Sequence, residues 1–331
     1  MSRRYAAQTR LSHVGQAGQA ALASAHVLVV GAGGLGCALL PLLAGAGMGV
    51  LRVVDPDHVE EGNLHRQTLY RMSDIGRAKV HAAAEALTAL NPDVTVCVEQ
   101  VALDPANAGR WVEEADVVVD AADQMAVTYA LSDICHQARK PLVSASVQGM
   151  DGYAGVFCGG APSYRALFPD WPTAALSCSS AGVLGPVVAL LGCLQAQLVL
   201  ALLLRLPSDP RGRLWRCDGQ RMVFAEFDFR HAAEPPSYWP LLGRTQLTSD
   251  DLVIDLRSQL EAPTLVTDDA IRCEVSMLAS MGADLPRDRR IVFACRSGLR
   301  AARAAEQMAR IGYTSLALLA SGATPAMQTY G

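Results

Sequence analysis

Four closely spaced glycines near the N-terminus form a loop of the kind that binds phosphate. The apolar run Val27–Val30 leads directly into the motif G-x-G-x-x-G, which predicts a buried strand that turns sharply into a helix. Glycines let the backbone approach a phosphate closely, and the N-terminus of the helix favours its negative charge. A nucleotide site is therefore expected at Gly31, Gly33, Gly34 and Gly36.

Polar residues downstream of the glycines fit the triphosphate of ATP better than a dinucleotide. Asp55 follows the glycines by about 20 residues, where an acidic residue binds ribose hydroxyls in nucleotide-binding folds. The next polar residues are Asn63, Arg66, Gln67 and Lys79. When a carboxylate attacks the α-phosphate, negative charge builds up, and fixed cations such as Arg66 and Lys79 stabilise it.

Asp123 is the candidate ligand for Mg²⁺. It follows the apolar run Val117–Asp120, so it should lie just beyond the carboxyl end of a strand. Carboxylate oxygens are suitable ligands for a Mg²⁺ ion that bridges phosphates. An Asp in this place can also cap a helix, but beside the glycine motif metal binding is the favoured interpretation.

The elements that must position these residues alternate between strand and helix. Strands are predicted at 27–30, 50–54, 94–98, 117–120 and 141–144, and helices at 36–46, 76–90 and 126–138. This alternation predicts an α/β fold with a Rossmann-like, doubly wound, mostly parallel sheet. The expected divisions are a domain over 1–230, a proline-rich linker over 231–247, and a smaller α/β domain over 248–331.

Length and composition narrow the class of protein. The 331 residues, of which 51% are hydrophobic, are enough for two cores. The net charge of −4 argues against nucleic-acid binding. The nine cysteines contain no C-x-x-C pair, which is typical of reduced thiols in the cytoplasm. The uncharged stretch 181–204 is long enough to span a membrane, but its central glutamines favour a buried helix.

A set of motifs extends across residues 4–229. They are Gly31-x-Gly33-Gly34-x-Gly36, Asp55, Asn63-Leu64-His65-Arg66-Gln67, Gly76-x-x-Lys79, Asn91-Pro92, Asp123 and Cys178-x-x-Ala181-Gly182-Val183-Leu184-Gly185-Pro186. Together they resemble the MoeB/ThiF/HesA family, the bacterial relatives of ubiquitin-activating E1 enzymes. The resemblance implies ATP-dependent adenylation of the C-terminal glycine of a small ubiquitin-like sulfur-carrier protein ending in Gly-Gly, on a homodimer.

The resemblance also implies roles for individual residues. Those that would bind ATP are Gly34, Asp55, Asn63, Arg66 and Lys79. Arg66 and Lys79 would also stabilise the transition state, and Asp123 would hold Mg²⁺. Cys178 would link covalently to the activated carrier or to a sulfur donor, with a buried structural thiol as the alternative.

One departure from the family pattern concerns catalysis. Family members usually begin R-Y-x-R-Q, and the second arginine reaches the partner subunit's nucleotide, whereas Ala7 stands in that place here. Losing a charge that stabilises a transition state costs several kcal/mol. Arg3, Arg4 or Arg10 could substitute for it.

Two further departures concern metal binding and the magnesium loop. The cysteine pairs that bind zinc in the family are missing, because residues 163–166 read Ser-Tyr-Arg-Ala and the linker has no cysteine. Zinc is therefore not expected. Gln124 replaces the usual asparagine after Asp123 and keeps an amide.

The second domain carries a separate candidate site at the end of a predicted strand. Backbone N–H groups, the N-terminus of the next helix and two arginines would favour the thiolate form of Cys295. Cys295 and Arg300 enclose four residues, one fewer than in phosphate-binding cysteine loops, which suits a persulfide sulfur; a buried cysteine is the alternative. The loop consists of Cys295, Arg296, Ser297, Gly298, Leu299 and Arg300.

This loop resembles that of a single-domain rhodanese, a sulfurtransferase. The segments Ile254-Asp255-Leu256-Arg257 and Gly312-Tyr313 add to the resemblance, while 258–283 and 319–324 depart from the rhodanese pattern. The resemblance implies that a persulfide donor loads Cys295 with sulfur.

The two resemblances lead to one hypothesis and leave three alternatives. ATP adenylates the carrier, and Cys295 then supplies sulfur to form a thiocarboxylate in a molybdopterin, thiamine or related pathway. Ala7 and the missing zinc cysteines leave open a carrier-binding scaffold with weakened catalysis. An NAD-dependent dehydrogenase would explain the glycines but not Arg66 and Lys79. A specialised E1 serving another carrier is the third alternative.

Overall fold

The first domain is built on a sheet whose first five strands are parallel. The computed structural model describes residues 3–172, 182–278 and 285–320. The strands are β1 (His26–Val30), β2 (Val50–Val54), β3 (Thr95–Glu99), β4 (Val117–Asp120) and β5 (Pro141–Gln148). They lie in the order β3-β2-β1-β4-β5. The order reverses between β1 and β4, and folds of this class bind ligands at such a switch point.

Helices cover both faces of this sheet and connect its strands. They are α1 (Gly15–Ser24), α2 (Gly34–Gly45), α3 (Lys79–Leu90), α4 (Pro105–Glu114), α5 (Met125–Ala138), α6 (Tyr164–Leu167) and α7 (Gly185–Leu203). α4 shows why a helix begins where it does, because the Asp104 carboxylate accepts hydrogen bonds from two backbone amides of its first turn. The predicted Rossmann-like, mostly parallel architecture is confirmed.

Three antiparallel strands extend the sheet on one side. They are β6 (Asp151–Cys158), β7 (Arg213–Asp218) and β8 (Val223–Asp228), and β6 pairs with β5. β8 is the edge strand, and all six of its residues are exposed. The hairpin of β7 and β8 thus forms the outer margin of the first domain.

α7 contains most of the long apolar stretch. By length and composition it is the one helix in the described ranges that could cross a membrane. Gly192 lies so close to α2 that a Cβ would be 2.6 Å from the Leu35 carbonyl oxygen. The buried Gln195 side chain donates to the Asp120 carbonyl oxygen at 2.7 Å. These contacts are those of a core helix that packs between α2 and the sheet.

The second domain has a parallel five-stranded sheet. Its strands are β9 (Leu241–Leu242), β10 (Leu252–Asp255), β11 (Ile271–Arg272), β12 (Ile291–Cys295) and β13 (Leu316–Ala320), and its main helix is α8 (Leu299–Arg310). The strand order is β11-β10-β12-β13-β9. β9 lies in the stretch expected to be a linker, so part of that stretch is sheet.

The two domains share one hydrophobic cluster. It joins Tyr129 and Tyr164 of the first domain to Phe293 and Met308 of the second. The first domain's opposite face has its own cluster, which includes Leu40 and Val199. Because a continuous core connects the sheets, the second domain is packed against the first.

Candidate active site

The glycine loop lies at the switch point between β1 and β4. Gly31 has a φ of +104°, and a Cβ there would lie 2.5 Å from the Ala121 carbonyl oxygen. A Cβ at Gly34 would lie 2.7 Å from Val188, whereas at Gly33 nothing comes nearer than the Gln67 amide at 3.8 Å. Gly31 and Gly34 are therefore required by close packing, and Gly33 leaves the loop open on its outer side.

Asp55 holds the glycine loop in place. Its carboxylate accepts hydrogen bonds from the Ala32 amide at 2.7 Å and from the Asp57 amide at 2.8 Å. Burial raises the pKa of Asp55, and the nearby Lys79 cation opposes that change. A carboxylate has about four lone-pair sites, so it can still accept a bond from a ribose hydroxyl.

Lys79 is a buried cation at the first position of α3. Its Nζ donates to Asp57 Oδ2 at 2.9 Å. Burial alone would lower the pKa of Lys79, but the carboxylates of Asp55 and Asp57 outweigh it and raise the pKa. The ammonium group therefore stays charged at physiological pH, as the stabilisation of phosphate requires.

Arg66 is oriented by its own segment. Its Nη2 donates to Asn63 Oδ1 at 2.6 Å, and the Asn63 amide donates to Glu60 Oε2 at 3.1 Å. The start of α7 packs closely against this segment. A Cβ at Gly185 would lie only 2.6 Å from the His65 carbonyl oxygen. The guanidinium is thus held near the glycine loop by one main hydrogen bond.

The buried side chain of Gln67 fits a role in nucleotide binding. The side chain is 3% exposed, and its Oε1 has no hydrogen-bond partner among the described residues. A buried polar atom without a partner costs about 1–3 kcal/mol, and the Nε2 of the same amide group lies 3.8 Å from where a Cβ at Gly33 would be. The residues present therefore fit a nucleotide whose hydroxyl or amino group would donate to Gln67.

Asp123 is exposed in the loop between β4 and α5. The negative charge of Asp123 adds to the influence of Asp55 and Asp57 that raises the pKa of Lys79. Within the described ranges, no group of three His, Cys, Asp or Glu residues is placed to hold a metal. A single carboxylate suits Mg²⁺, which is usually held by one or two carboxylates together with substrate phosphates and water.

Three residues of the site carried no clear sequence signal. Asp57 pairs with Lys79, and the Tyr70 hydroxyl donates to the Ala32 carbonyl oxygen at 2.7 Å. Asp120 accepts hydrogen bonds from Thr128 and Ser144 at the base of the Asp123 loop. For Asp57, the one signal available was an acidic residue two positions after Asp55. The contacts of Tyr70 and Asp120 join distant parts of the chain.

The N-terminal segment contains Arg3, Arg4 and Arg10, the three residues that could substitute for an arginine at position 7. Ala7 is exposed, and Arg4 donates to the Leu90 carbonyl oxygen at 2.8 Å on its own domain. Arg4 is therefore directed to its own domain, whereas Arg3 and Arg10 have exposed side chains.

A polar clip joins residues 163–165 of the first domain to the linker. The Glu234 carboxylate accepts from the Ser163 amide at 2.7 Å and from its hydroxyl at 2.5 Å. The buried Arg165 pairs with Asp133 and lies over the Tyr238 ring at 4.1 Å. These contacts connect the first domain to the linker through hydrogen bonds and an ion pair.

Of the two candidate cysteines, Cys178 lies outside the described residues. Cys295 ends β12 and is fully buried, and its sulfur accepts the Ala301 amide at 3.4 Å. Arg300 donates to the Leu256 carbonyl oxygen at 2.9 Å and pairs with Glu261. In this arrangement the sulfur lies at a helix N-terminus but is covered from solvent.

Known proteins resemble the chain over most of its length. The ThiF family profile matches residues 5–237. Adenylyltransferase and sulfurtransferase MOCS3 of Bos taurus is 46% identical over 225 residues, covering 67% of this chain and 50% of that protein. The chain therefore spans about half the length of MOCS3. Probable adenylyltransferase/sulfurtransferase MoeZ of Mycobacterium tuberculosis is 30% identical over 356 residues, covering 96% of this chain and 91% of that protein.

A solved structure shares the fold of the first domain. E. coli MccB crystallised with ATP superposes with a TM-score of 0.58 at 20% identity. The match covers 71% of this chain and 74% of that chain. At this identity the likeness establishes the architecture, and the chemistry must be argued from the residues.

Proposed function

Because the chain belongs to the ThiF family, we propose that it adenylates the C-terminal carboxylate of a small ubiquitin-like sulfur carrier and then exchanges AMP for sulfur. One observation carries the first half: the glycine loop, the buried Lys79 and Asp123 meet at the switch point of the sheet. The carrier would end in Gly-Gly, as the resemblance to the MoeB/ThiF/HesA family implies.

The first step forms a phosphoanhydride bond. A carrier carboxylate oxygen attacks the α-phosphorus of ATP, and pyrophosphate leaves with the electron pair of the broken bond. Lys79 and Arg66 supply positive charge where negative charge develops. Asp123 would hold Mg²⁺, which neutralises phosphate charge when bound. Asp55 and Asp57 keep Lys79 protonated throughout.

The second step transfers sulfur. The terminal sulfur of a Cys295 persulfide attacks the acyl carbon, and AMP leaves. A second thiol, for which Cys178 is the candidate, then attacks the Cys295 sulfur, so that the thiocarboxylate leaves and a disulfide remains. Two molecules of an external thiol then reduce that disulfide and leave as their own disulfide, and a persulfide donor reloads Cys295.

Exchange of pyrophosphate into ATP in the presence of carrier tests the first half. We expect Lys79→Ala, Arg66→Ala and Asp123→Ala each to lower the exchange rate at least 100-fold, about the cost of removing one stabilising charge. Arg110→Ala, which removes an exposed cation on α4, should leave the rate unchanged. Exchange that persists at the wild-type rate in all three site variants would overturn the roles proposed for these residues, and a wild-type protein without exchange would overturn the adenylation proposal.

Thiocarboxylate formation tests the second half. Mass spectrometry of a carrier incubated with ATP, thiosulfate and protein should detect the sulfur-for-oxygen mass change. Cys295→Ala should abolish that product while pyrophosphate exchange continues, and the exposed Cys193→Ala should form it normally. If Cys295→Ala still makes thiocarboxylate, another residue delivers the sulfur.

A carrier-binding scaffold is the second candidate function. The exposed Ala7 in place of an arginine and the covered sulfur of Cys295 favour it. A scaffold would bind the carrier tightly, and no AMP would form. Calorimetric carrier binding together with absent exchange would select this function.

We further propose that the chain works as a homodimer in the cytoplasm. Support for a second copy comes from α2 and α7, which pack together and expose Leu42 and Leu190. Sedimentation at micromolar concentration should give a dimer. Leu190→Glu should convert it to a monomer, whereas a substitution at the exposed Leu260 should not.

A further inference from the structure

The loop that carries Cys295 is packed against the first domain. Gly298 has a φ of +86°, and a Cβ there would lie 2.9 Å from the Trp171 ring and 3.3 Å from Ala126 Cβ. Both contacts come from the first domain, one from the first turn of α5 and one from the segment after α6. No larger side chain fits at this contact without displacing Trp171.

The first-domain side of this contact is rigid. Trp171 stacks on Tyr129 with ring centroids 4.5 Å apart, and Arg165 lies over the Tyr129 ring at 4.7 Å. The Tyr129 hydroxyl lies 2.9 Å from the Phe168 carbonyl oxygen. A preformed aromatic platform loses little side-chain entropy when another surface binds to it.

Cys295, three residues before Gly298, is completely buried in this arrangement. The sulfur has no solvent exposure, although Arg296 beside it is exposed. A sulfur donor must reach the thiolate to transfer sulfur, so donors have no access in this arrangement. Either Cys295 is a structural thiol, or the two domains separate at this contact during turnover.

We propose that Trp171 and Ala126 form a docking surface for the Gly298 loop of the chain's own second domain, and that docking closes Cys295 to solvent between loading steps. Ala126 follows Asp123 by less than one turn of helix. The nucleotide site and the docking surface therefore share the start of α5. The functional consequence rests on the proposed sulfur-transfer role of Cys295.

Thiol alkylation of the full-length protein tests the closure. Native protein is treated with iodoacetamide, and the modification rate of each cysteine is read by peptide mass spectrometry. In the wild type we expect Cys295 to react at least 10-fold more slowly than the exposed Cys193. Trp171→Ala should raise the Cys295 rate at least 10-fold and leave Cys193 unchanged.

A matched control and a folding reporter accompany this experiment. Trp215→Ala removes a tryptophan from β7, away from the contact, and should leave the Cys295 rate as in the wild type. Cys135 is buried in α5, so its protection reports an intact fold. If Trp171→Ala exposes Cys135, Trp171→Phe replaces it and should give a smaller rise at Cys295 with Cys135 still protected.

Two results overturn the proposal: wild-type Cys295 reacting as fast as Cys193, or folded Trp171 variants in which Cys295 stays protected. Failure of the proposed function is a separate outcome. If Trp171→Ala opens Cys295 to alkylation but thiosulfate loads no persulfide there, the docking surface stands and the sulfur-transfer role of Cys295 is wrong.

Discussion

At the scale of single residues, Asp120 is a buried carboxylate whose negative charge lowers the stability of the fold. Its carboxylate is fully buried at the end of β4 and accepts from Thr128 at 2.7 Å, Ser144 at 2.8 Å and the Ala122 amide at 3.2 Å. These bonds fix the loop that ends in Asp123. Burial raises the pKa of Asp120 to about 6, and the negative charge of Asp123 adds to the rise.

The raised pKa predicts the direction of a pH effect on stability. A carboxyl whose pKa is higher in the folded state contributes stability below the unfolded value of 3.8, and that contribution is lost as the pH rises through about 6. Tyr153, Tyr164 and Cys135 lie near it and are uncharged at these pH values. The ionised form therefore destabilises the fold by up to about 3 kcal/mol at neutral pH.

Asp120→Asn should consequently stabilise the protein at pH 8 relative to the wild type while lowering adenylation, because the loop loses its fixed charge. Urea unfolding at pH 5 and pH 8 measures the first effect, and the advantage should shrink at pH 5. The exposed Asp250→Asn is the control. An Asp120→Asn variant that is equally destabilised at both pH values would contradict the expectation.

At the scale of elements, the junction of β1 and α2 depends on one glycine. Gly31→Ala combines an unfavourable positive φ with a Cβ only 2.5 Å from the Ala121 carbonyl oxygen. We expect a loss of roughly 2–4 kcal/mol in the free energy of unfolding, measured by urea. Gly109→Ala in α4 has open space around its Cβ and should stabilise by about 0.5–1 kcal/mol. Equal effects of the two substitutions would refute this account.

The polar clip between α6 and the linker predicts stability without zinc. Arg165→Met leaves the partly buried Asp133 without its partner, and because Arg165 itself is buried we expect a cost of about 3 kcal/mol, the low end for a buried pair. Arg310→Met removes an exposed ion pair and should cost less than about 1 kcal/mol. Chelation with EDTA should leave the melting temperature unchanged; a large drop would mean that a metal stabilises this region.

At the scale of the whole molecule, the lack of a cation at Ala7 is expected to limit the rate of adenylation. If the chain is a homodimer, Ala7→Arg restores a cation directed at the partner's nucleotide and should raise pyrophosphate exchange 10-fold or more. Ala6→Arg adds the same charge one position away and should not. A rate that stays at the wild-type value in Ala7→Arg, with the dimer intact, would show that Arg3 or Arg10 already supplies this charge.

Much of the site follows from the sequence because its signals are local. Gly31, Asp55, Lys79 and Asp123 each stand at the end of a strand or the start of a helix, and parallel strands bring such ends to one edge. The spacing of apolar residues determines those elements, so the sheet and the position of its ligand edge are predictable. Cys178 stays a prediction, since it lies outside the described residues.

Only the tertiary structure decided the contacts between distant segments. The unpartnered oxygen of Gln67, the bond between Lys79 and Asp57, and the clip formed by Ser163 and Glu234 each depend on how separate elements pack. The contact between Trp171 and the Gly298 loop, three residues beyond the buried Cys295, depends on the docking of two domains. Periodicity in a sequence reports which face of an element is buried, but it does not report what buries it.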